Sequence, residues 1–324
     1  NFSSGPLDGS DGTALQALSA VYRSLHPDVQ TPEALRAQAA ATVGEPFTAY
    51  KLRPSDFRFI APPRAASSPV VSDSKRGGAK AVTVPKAPPR PALTYEEILA
   101  AKYSAYRTPW EFVAERFHCD ESFLRSLNSN IKTAPTTDTE LKVPNVTPFE
   151  IEKCFESPLR PKADPANPVK AAVVELSRLE IYQGGKLVAM MPLSRARPGL
   201  RGRGTWTILD AIAGPRLATR QEPNATPKVT AESGVTAPSP ESVPTAPVLA
   251  TEQMIAPGPR NPVGVYWINL AKAKSSTPLP YGLHGTGMPS RMKTQESLGG
   301  LRLTNWDIAR AVRMLPEGTP LIWK

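Results

Sequence analysis

The sequence predicts a multidomain chain: a small helical N-terminal domain, a small α+β module in the middle and a mainly β domain with one late helix at the C-terminus, joined by Pro-rich linkers. Three observations carry this. Of 324 residues 37 are Pro and only 7% are aromatic, so much of the chain cannot supply packed core. The prolines cluster between stretches that do carry a hydrophobic period. That period changes along the chain, from helical spacing at the start to alternating, strand-like runs after residue 168.

In residues 1–60, turn chemistry at Gly5, Asp8, Gly9, Asp11 and Gly12 precedes a helical pattern in Leu15, Leu18, Val21, Tyr22 and Leu25. A second helix is expected from Thr31 as N-cap, with Pro32 first and Glu33 in the first turn, through residues 34–41. Residues 61–93, with Pro62, Pro63, Pro85 and Pro88 among Lys75, Arg76 and Lys80, read as an extended basic linker. In 94–146, Thr108 and Pro109 open a helix carrying Phe112, Val113 and Phe117. Asp120 caps another with Phe123, Leu124 and Leu127, and Leu141–Pro144 return as a strand, giving a strand, helix, helix, strand plan. Residues 147–167 read as a second linker.

From residue 168 the runs alternate. Strands are expected at 169–176, 179–182 and 187–190, the last two joined at Gly184-Gly185, and again at 205–209, 263–270 and 319–323. Residues 305–315 return to helical period through Trp306, Ile308, Ala309, Val312 and Leu315. Tyr281 and Trp306 read as core. An insertion at 214–257, rich in Pro, Ala, Thr and Ser, is expected to be disordered.

Composition narrows the function classes. Two Cys exclude a disulfide scaffold, and the lack of paired Cys-x-x-Cys spacing excludes a zinc ribbon or iron-sulfur site. His118 and Cys119 are adjacent, but no second ligand lies at helical spacing, so neither metal nor cofactor is expected. Cys119 and Cys154 are candidates for pairing only in an oxidising compartment. No apolar run approaches the roughly 18–20 residues of a membrane span. The net charge of +10 and the Arg195, Arg197, Arg201, Arg203 loop admit an anionic partner, but no nucleic-acid motif accompanies them, and a solvated hairpin loop is the plainer reading. The chain opens on Asn1 rather than Met, as expected if a leader precedes this numbering.

Three resemblances add to this reading. The Gly and Asp-Gly loop before a short helix resembles the small helical peptidoglycan-binding repeat, although the usual Phe-Gln pair is absent. Residues Phe112–Phe117, Leu124–Asn128 and Glu140–Asn145 resemble the lysin motif (LysM), a family that binds N-acetylglucosamine-containing glycans. The stretches 258–264, 281–286 and 297–307 resemble the L,D-transpeptidase catalytic domain, which implies a mainly β, L,D-transpeptidase-type sandwich. Members cross-link peptidoglycan through the Cys of a Ser-His-Gly-Cys-(aliphatic)-Arg motif, partnered by an upstream His. On this resemblance His284 matches that His, and Ser297, Gly299 and Arg302 match the motif Ser, Gly and Arg. The alternative use of the Arg302 guanidinium is a structural ion pair with Asp307 or Glu296.

The nucleophile is absent. Position 300, 16 residues after His284, is Gly300 where the family has Cys, and Leu298 replaces the motif His. Acyl transfer needs a group that attacks and carries the acyl chain. The resemblance therefore implies a cell-envelope or periplasmic protein that binds glycan and stem peptide without cross-linking them, with an active paralogue as a candidate partner. The alternative is an active peptidoglycan acyl-transfer enzyme with an unrecognised nucleophile.

Overall fold

The computed structural model describes residues 2–62, 100–155, 160–194, 204–220, 252–292 and 300–324. Helices α1 (Thr13–Leu25) and α2 (Pro32–Val43) form where the sequence places them, and Thr31 Oγ1 accepts the Ala34 N–H at 3.1 Å as the α2 cap. Neither helix buries a residue. A separate helical domain needs a core of its own, and these two helices do not supply one.

The middle module draws on both sides of the linker. Strand β1 (Phe47–Lys51) pairs antiparallel with β2 (Glu140–Pro144), Phe47 opposite Pro144. Between them in sequence stand α3 (Pro109–Arg116), capped by Thr108 Oγ1 on the Glu111 N–H at 3.1 Å, and α4 (Glu121–Leu127). The strand expected at the start of 94–146 thus comes from before residue 60. Residues 100–108 contribute one bridge, Tyr106 to Ile60. Sequence spacing concealed this because the paired residues lie 89 to 97 positions apart. Leu124, Leu141 and Val143 are fully buried between the strands and helices. A fragment of 94–146 lacks β1 and leaves the β2 edge unpaired. It is therefore expected to be unfolded by circular dichroism, and a fragment that also carries residues 45–62 is expected to fold.

The C-terminal domain is mainly β, as expected, with its strands in one hydrogen-bonded sheet of eight. It comprises β3 (Val169–Val174), β4 (Arg178–Gln183), β5 (Lys186–Pro192), β6 (Thr205–Ala213), β9 (Tyr266–Lys272), β10 (Gly282–His284), β11 (Gly300–Arg302) and β12 (Pro320–Trp323). Their order across the sheet is β11-β10-β9-β6-β12-β3-β4-β5. The β10–β11 and β12–β3 pairs are parallel. Bulges at Ile181/Tyr182 and Ile208/Ala211 bend it locally. Gly184 and Gly185, both at positive φ, make the tight β4–β5 turn. Helix α5 (Asn305–Met314), capped by Thr304, packs Trp306, Ile308 and Val312 into the same core.

The described parts of the segment read as a linker, 147–167, are structured, and so are the ends of the insertion expected to be disordered. Phe149, Ile151 and Cys154 are buried, and the Arg160 guanidinium donates to the carbonyls of Leu209 and Leu315 at 2.6 and 2.9 Å. At the ends of the insertion, β7 (Leu217–Arg220) pairs with β8 (Glu252–Ile255). Residues 221–251, the linker from 63 onward and the Arg195–Arg203 loop lie outside the described residues. Cys119 and Cys154 are both free, buried thiols. No helix among the described residues is long and apolar enough to cross a membrane.

The middle module and the sheet share one hydrophobic core. Between them Glu115 Oε1 accepts from Asn305 Nδ2 at 2.9 Å, Glu111 lies 3.0 Å from Arg260 Nε, and the His118 ring stacks on Trp306 with centroids 5.0 Å apart. The N-terminal segment straps them together. Phe2 bridges to Met190 on the β5 edge, Ser3 Oγ donates to Asp307 Oδ2 at 2.9 Å, and Leu7 pairs with the His118–Asp120 turn.

Candidate functional site

The site is built on strands β9, β10 and β11. Their register sets Trp267 opposite His284 and His284 opposite Arg302, and β6 extends the row with Ile212 opposite Trp267. The row runs from an exposed apolar end at Ile212 to two buried polar side chains.

His284 is fixed three ways. Its Nδ1 lies 2.7 Å from the Gly285 carbonyl, its ring stacks on Trp267 at 5.3 Å between centroids, and it is 3% exposed. A carbonyl only accepts, so Nδ1 carries the hydrogen and Nε2 keeps its lone pair, the tautomer a general base requires. Burial pushes the imidazole down to about 4, with the charge of Arg302 adding in the same direction. The His284 ring signals are therefore expected to show no titration step between pH 5 and 8 by NMR. A step near 6.5 would mean a solvated ring.

Arg302 is also buried. Its Nε donates to Ser194 Oγ at 3.0 Å, and the Ser194 N–H donates to the Arg302 carbonyl at 3.0 Å. Desolvation holds its pKa below the ordinary guanidinium value. Of the two carboxylates considered for it, Asp307 is engaged elsewhere, accepting from Ser3 and lying 3.8 Å from Arg310. Glu296, Ser297, Leu298 and Gly299 lie outside the described residues.

Gly300 is described, and its backbone decides what can stand there. It sits at φ +141°, and a Cβ built on it would lie 2.3 Å from the Gly282 carbonyl oxygen and 2.8 Å from the Gly282 nitrogen. Backbone, rather than a flexible side chain, fills the space. The position where the resemblance expects a nucleophile thus has neither a side chain nor room for one in this conformation.

Three residues with no part in the motif hold the site in shape. Trp267 supports the His284 ring and is itself anchored by its indole N–H to Asn269 Oδ1 at 2.8 Å. Ser194 binds Arg302. Asn305 ties helix α3 to the loop between β8 and β9: its Oδ1 accepts from the Val265 N–H at 3.1 Å, and its Nδ2 donates to Glu115 Oε1 and to the Pro259 carbonyl. A Cβ on Gly264 or Gly285 would strike that Oδ1 at 2.2 or 2.3 Å, so both glycines are required for the amide to enter. The one sequence signal was the position of Asn305 just inside a helix start, beside the His-Gly and Gly-Gly landmarks. Among the described residues no group of three or more His, Cys, Asp or Glu side chains is arranged to hold a metal.

Over 63 residues, 19% of its length, the chain is 36% identical to a YkuD protein of Bacillus licheniformis whose name assigns it provisionally to the L,D-transpeptidases. That stretch of the chain is similar to a protein named among the L,D-transpeptidases. The corresponding protein of Bacillus subtilis is 34% identical over 61 residues. The chain spans about a third of the length of these curated relatives, 34% in each case. L,D-transpeptidase 3 of Mycobacterium tuberculosis aligns in structure over 49% of this chain and 61% of its own, at 13% identity and a TM-score of 0.30. No family model matches the chain.

Proposed function

We propose that this chain is a cell-envelope protein of the L,D-transpeptidase family that binds peptidoglycan without cross-linking it. The observation that carries this is Gly300. Cysteine-dependent acyl transfer needs a thiolate where this chain has a glycine pressed against the Gly282 backbone. Loss of a nucleophile lowers turnover by on the order of 10⁶ in a serine protease, and what survives is binding and oxyanion stabilisation. The relatives named as L,D-transpeptidases supply the substrate class, and the LysM-like middle module supplies a second contact, to glycan. The row from Ile212 through Trp267 to His284 and Arg302 offers an apolar shelf ending in hydrogen-bonding groups, which suits a stem peptide.

An active enzyme with another nucleophile is the competing reading, and two observations weigh against it. Cys119 and Cys154, the only thiols, are buried in or beside the middle module, and burial pushes both up to about 12. Thiolate is scarce at such sites near neutral pH.

Co-sedimentation with purified sacculi tests the binding claim. The wild type is expected in the pellet, and Trp267→Ala is expected to weaken binding by about tenfold, as loss of a central aromatic contact does. A wild type that stays in the supernatant contradicts the proposal.

A further inference from the structure

Two clefts flank His118, away from the His284 row. One, of about 560 Å³, opens between the N-terminal segment, the end of α2, the turn at 145–147 and α5. The other, of about 240 Å³, shares His118, Thr147 and Arg310 with it and adds Trp306, Lys153 and Arg313. Buried polar atoms in folded proteins nearly always have hydrogen-bond partners. Here His118 Nε2 and Trp306 Nε1 have none among the described residues, although His118 is only 6% and Trp306 only 1% exposed. Two such atoms on two stacked rings mark a site whose hydrogen bonding is incomplete.

The chemistry of the gap is that of a donor set. An indole N–H donates only, and a guanidinium donates only. Trp306, Arg310 and Arg313 fall at i, i+4 and i+7 on α5 and so share one face. Lys153 brings a third cation, shared with Glu150 at 2.6 Å. Arg310 has its nearest described carboxylate, Asp307 Oδ1, at 3.8 Å, beyond hydrogen-bond range. His118 takes a left-handed φ of +56°, which is uncommon for a residue with a Cβ and turns its ring onto Trp306.

We propose that these clefts bind a small polar ligand through an oxyanion, a carboxylate or a phosphate, held by Arg310 and Arg313 with the ring N–H groups of His118 and Trp306. The larger cleft has the volume of a small-molecule pocket rather than of a lone ion, so the rest of the ligand lies along Thr42, Asn145 and Thr147. The site is separate from the His284 row and goes beyond the stem-peptide reading.

The test is an NMR titration of the full chain with sodium phosphate and, separately, sodium acetate, with sodium chloride at matched ionic strength as the reference. The expected result is saturable movement of the His118 ring and Trp306 indole signals with either oxyanion or both, absent with chloride. Movement with phosphate alone assigns a phosphoryl ligand, and with acetate alone a carboxylate. Arg310→Gln is expected to weaken binding by about tenfold, the worth of one charge-assisted hydrogen bond. Arg313→Gln, at an exposed position that leaves the core intact, is expected to weaken it by a smaller factor. Shifts no larger than those with chloride, or shifts unchanged in both variants, overturn the proposal. The His284 signals, away from both clefts, serve as the internal reference, and the stem-peptide reading is tested separately by co-sedimentation.

Discussion

Gly300→Ala is expected to destabilise the protein by roughly 2–4 kcal/mol, the sum of a strained left-handed backbone and an overpacked contact. The added methyl meets the Gly282 carbonyl and amide, both fixed in the β9–β10–β11 ladder. Gly318→Ala is the control. Gly318 also has a positive φ, +83°, but nothing lies within 4 Å of the place its Cβ would take, so only the conformational cost of about 1 kcal/mol applies. Urea unfolding of the two variants separates crowding from strain. Equal losses would mean that the β11 backbone moves to admit a side chain, and the steric argument against a nucleophile would fail with it.

Glu115 governs the second large effect. It is 4% exposed and accepts from Asn305 Nδ2, and burial pushes its pKa from the ordinary 4.5 up to about 8. A carboxyl whose folded pKa is raised holds its proton in the folded state and loses it on unfolding, so its contribution is full below pH 4.5 and is lost as pH rises to about 8. The opposing groups act mostly at lower pH. His118 and His284 are pushed down to about 3 and 4 from 6.5, so stability gained from them rises with pH, mostly below 6.5, with about 0.4 kcal/mol each still to come above it. Asp307, raised to about 6 by burial, has largely titrated by then. Glu115 dominates the window from pH 6.5 to 8 among these groups, and the wild type is expected to lose about 1 kcal/mol net across it. Glu115→Gln keeps an acceptor for Asn305 and cannot ionise, so its stability over the same window is expected to rise slightly rather than fall. Urea midpoints measured at pH 6.5 and 8.5 check this, and parallel slopes for the two proteins would contradict it.

The consequence is that the middle module and the His284 loop are one mechanical unit. Glu115 sits on α3, Asn305 on α5, and the Asn305 amide fills the space that Gly264 and Gly285 leave open beside His284. Ionising Glu115 adds an uncompensated buried charge at the joint rather than at the row itself.

Where sequence period was strong, the elements formed as expected. The Thr31-Pro32 start, the Gly184-Gly185 turn and the 305–314 helix are all local decisions, made by capping, left-handed glycine and apolar spacing. What the sequence hid was long-range. The pairing of Phe47–Lys51 with Glu140–Pro144 crosses the Pro-rich linker, and no local signal reports a partner that far away. Tyr281, read as core, is 40% exposed, since one aromatic residue before a Gly does not reveal which face it takes. In the site, His284, Gly300 and Arg302 were legible as residue types at a spacing. The loss of room at Gly300 and the support from Trp267, Ser194 and Asn305 were not, because they depend on strand register and on which backbone passes alongside.

Position 300, lacking both a side chain and space for one, is not expected to support acyl transfer. Mass spectrometry of muropeptides released from sacculi incubated with the purified protein is the decisive check, with the Gly300→Cys, Leu298→His double variant run in parallel. The expected result is no new cross-link from the wild type and none from the variant, whose thiol would have to displace the Gly282 backbone. New cross-links made by the wild type would contradict the binding-only reading outright, and cross-links made by the variant alone would contradict its steric basis at Gly300.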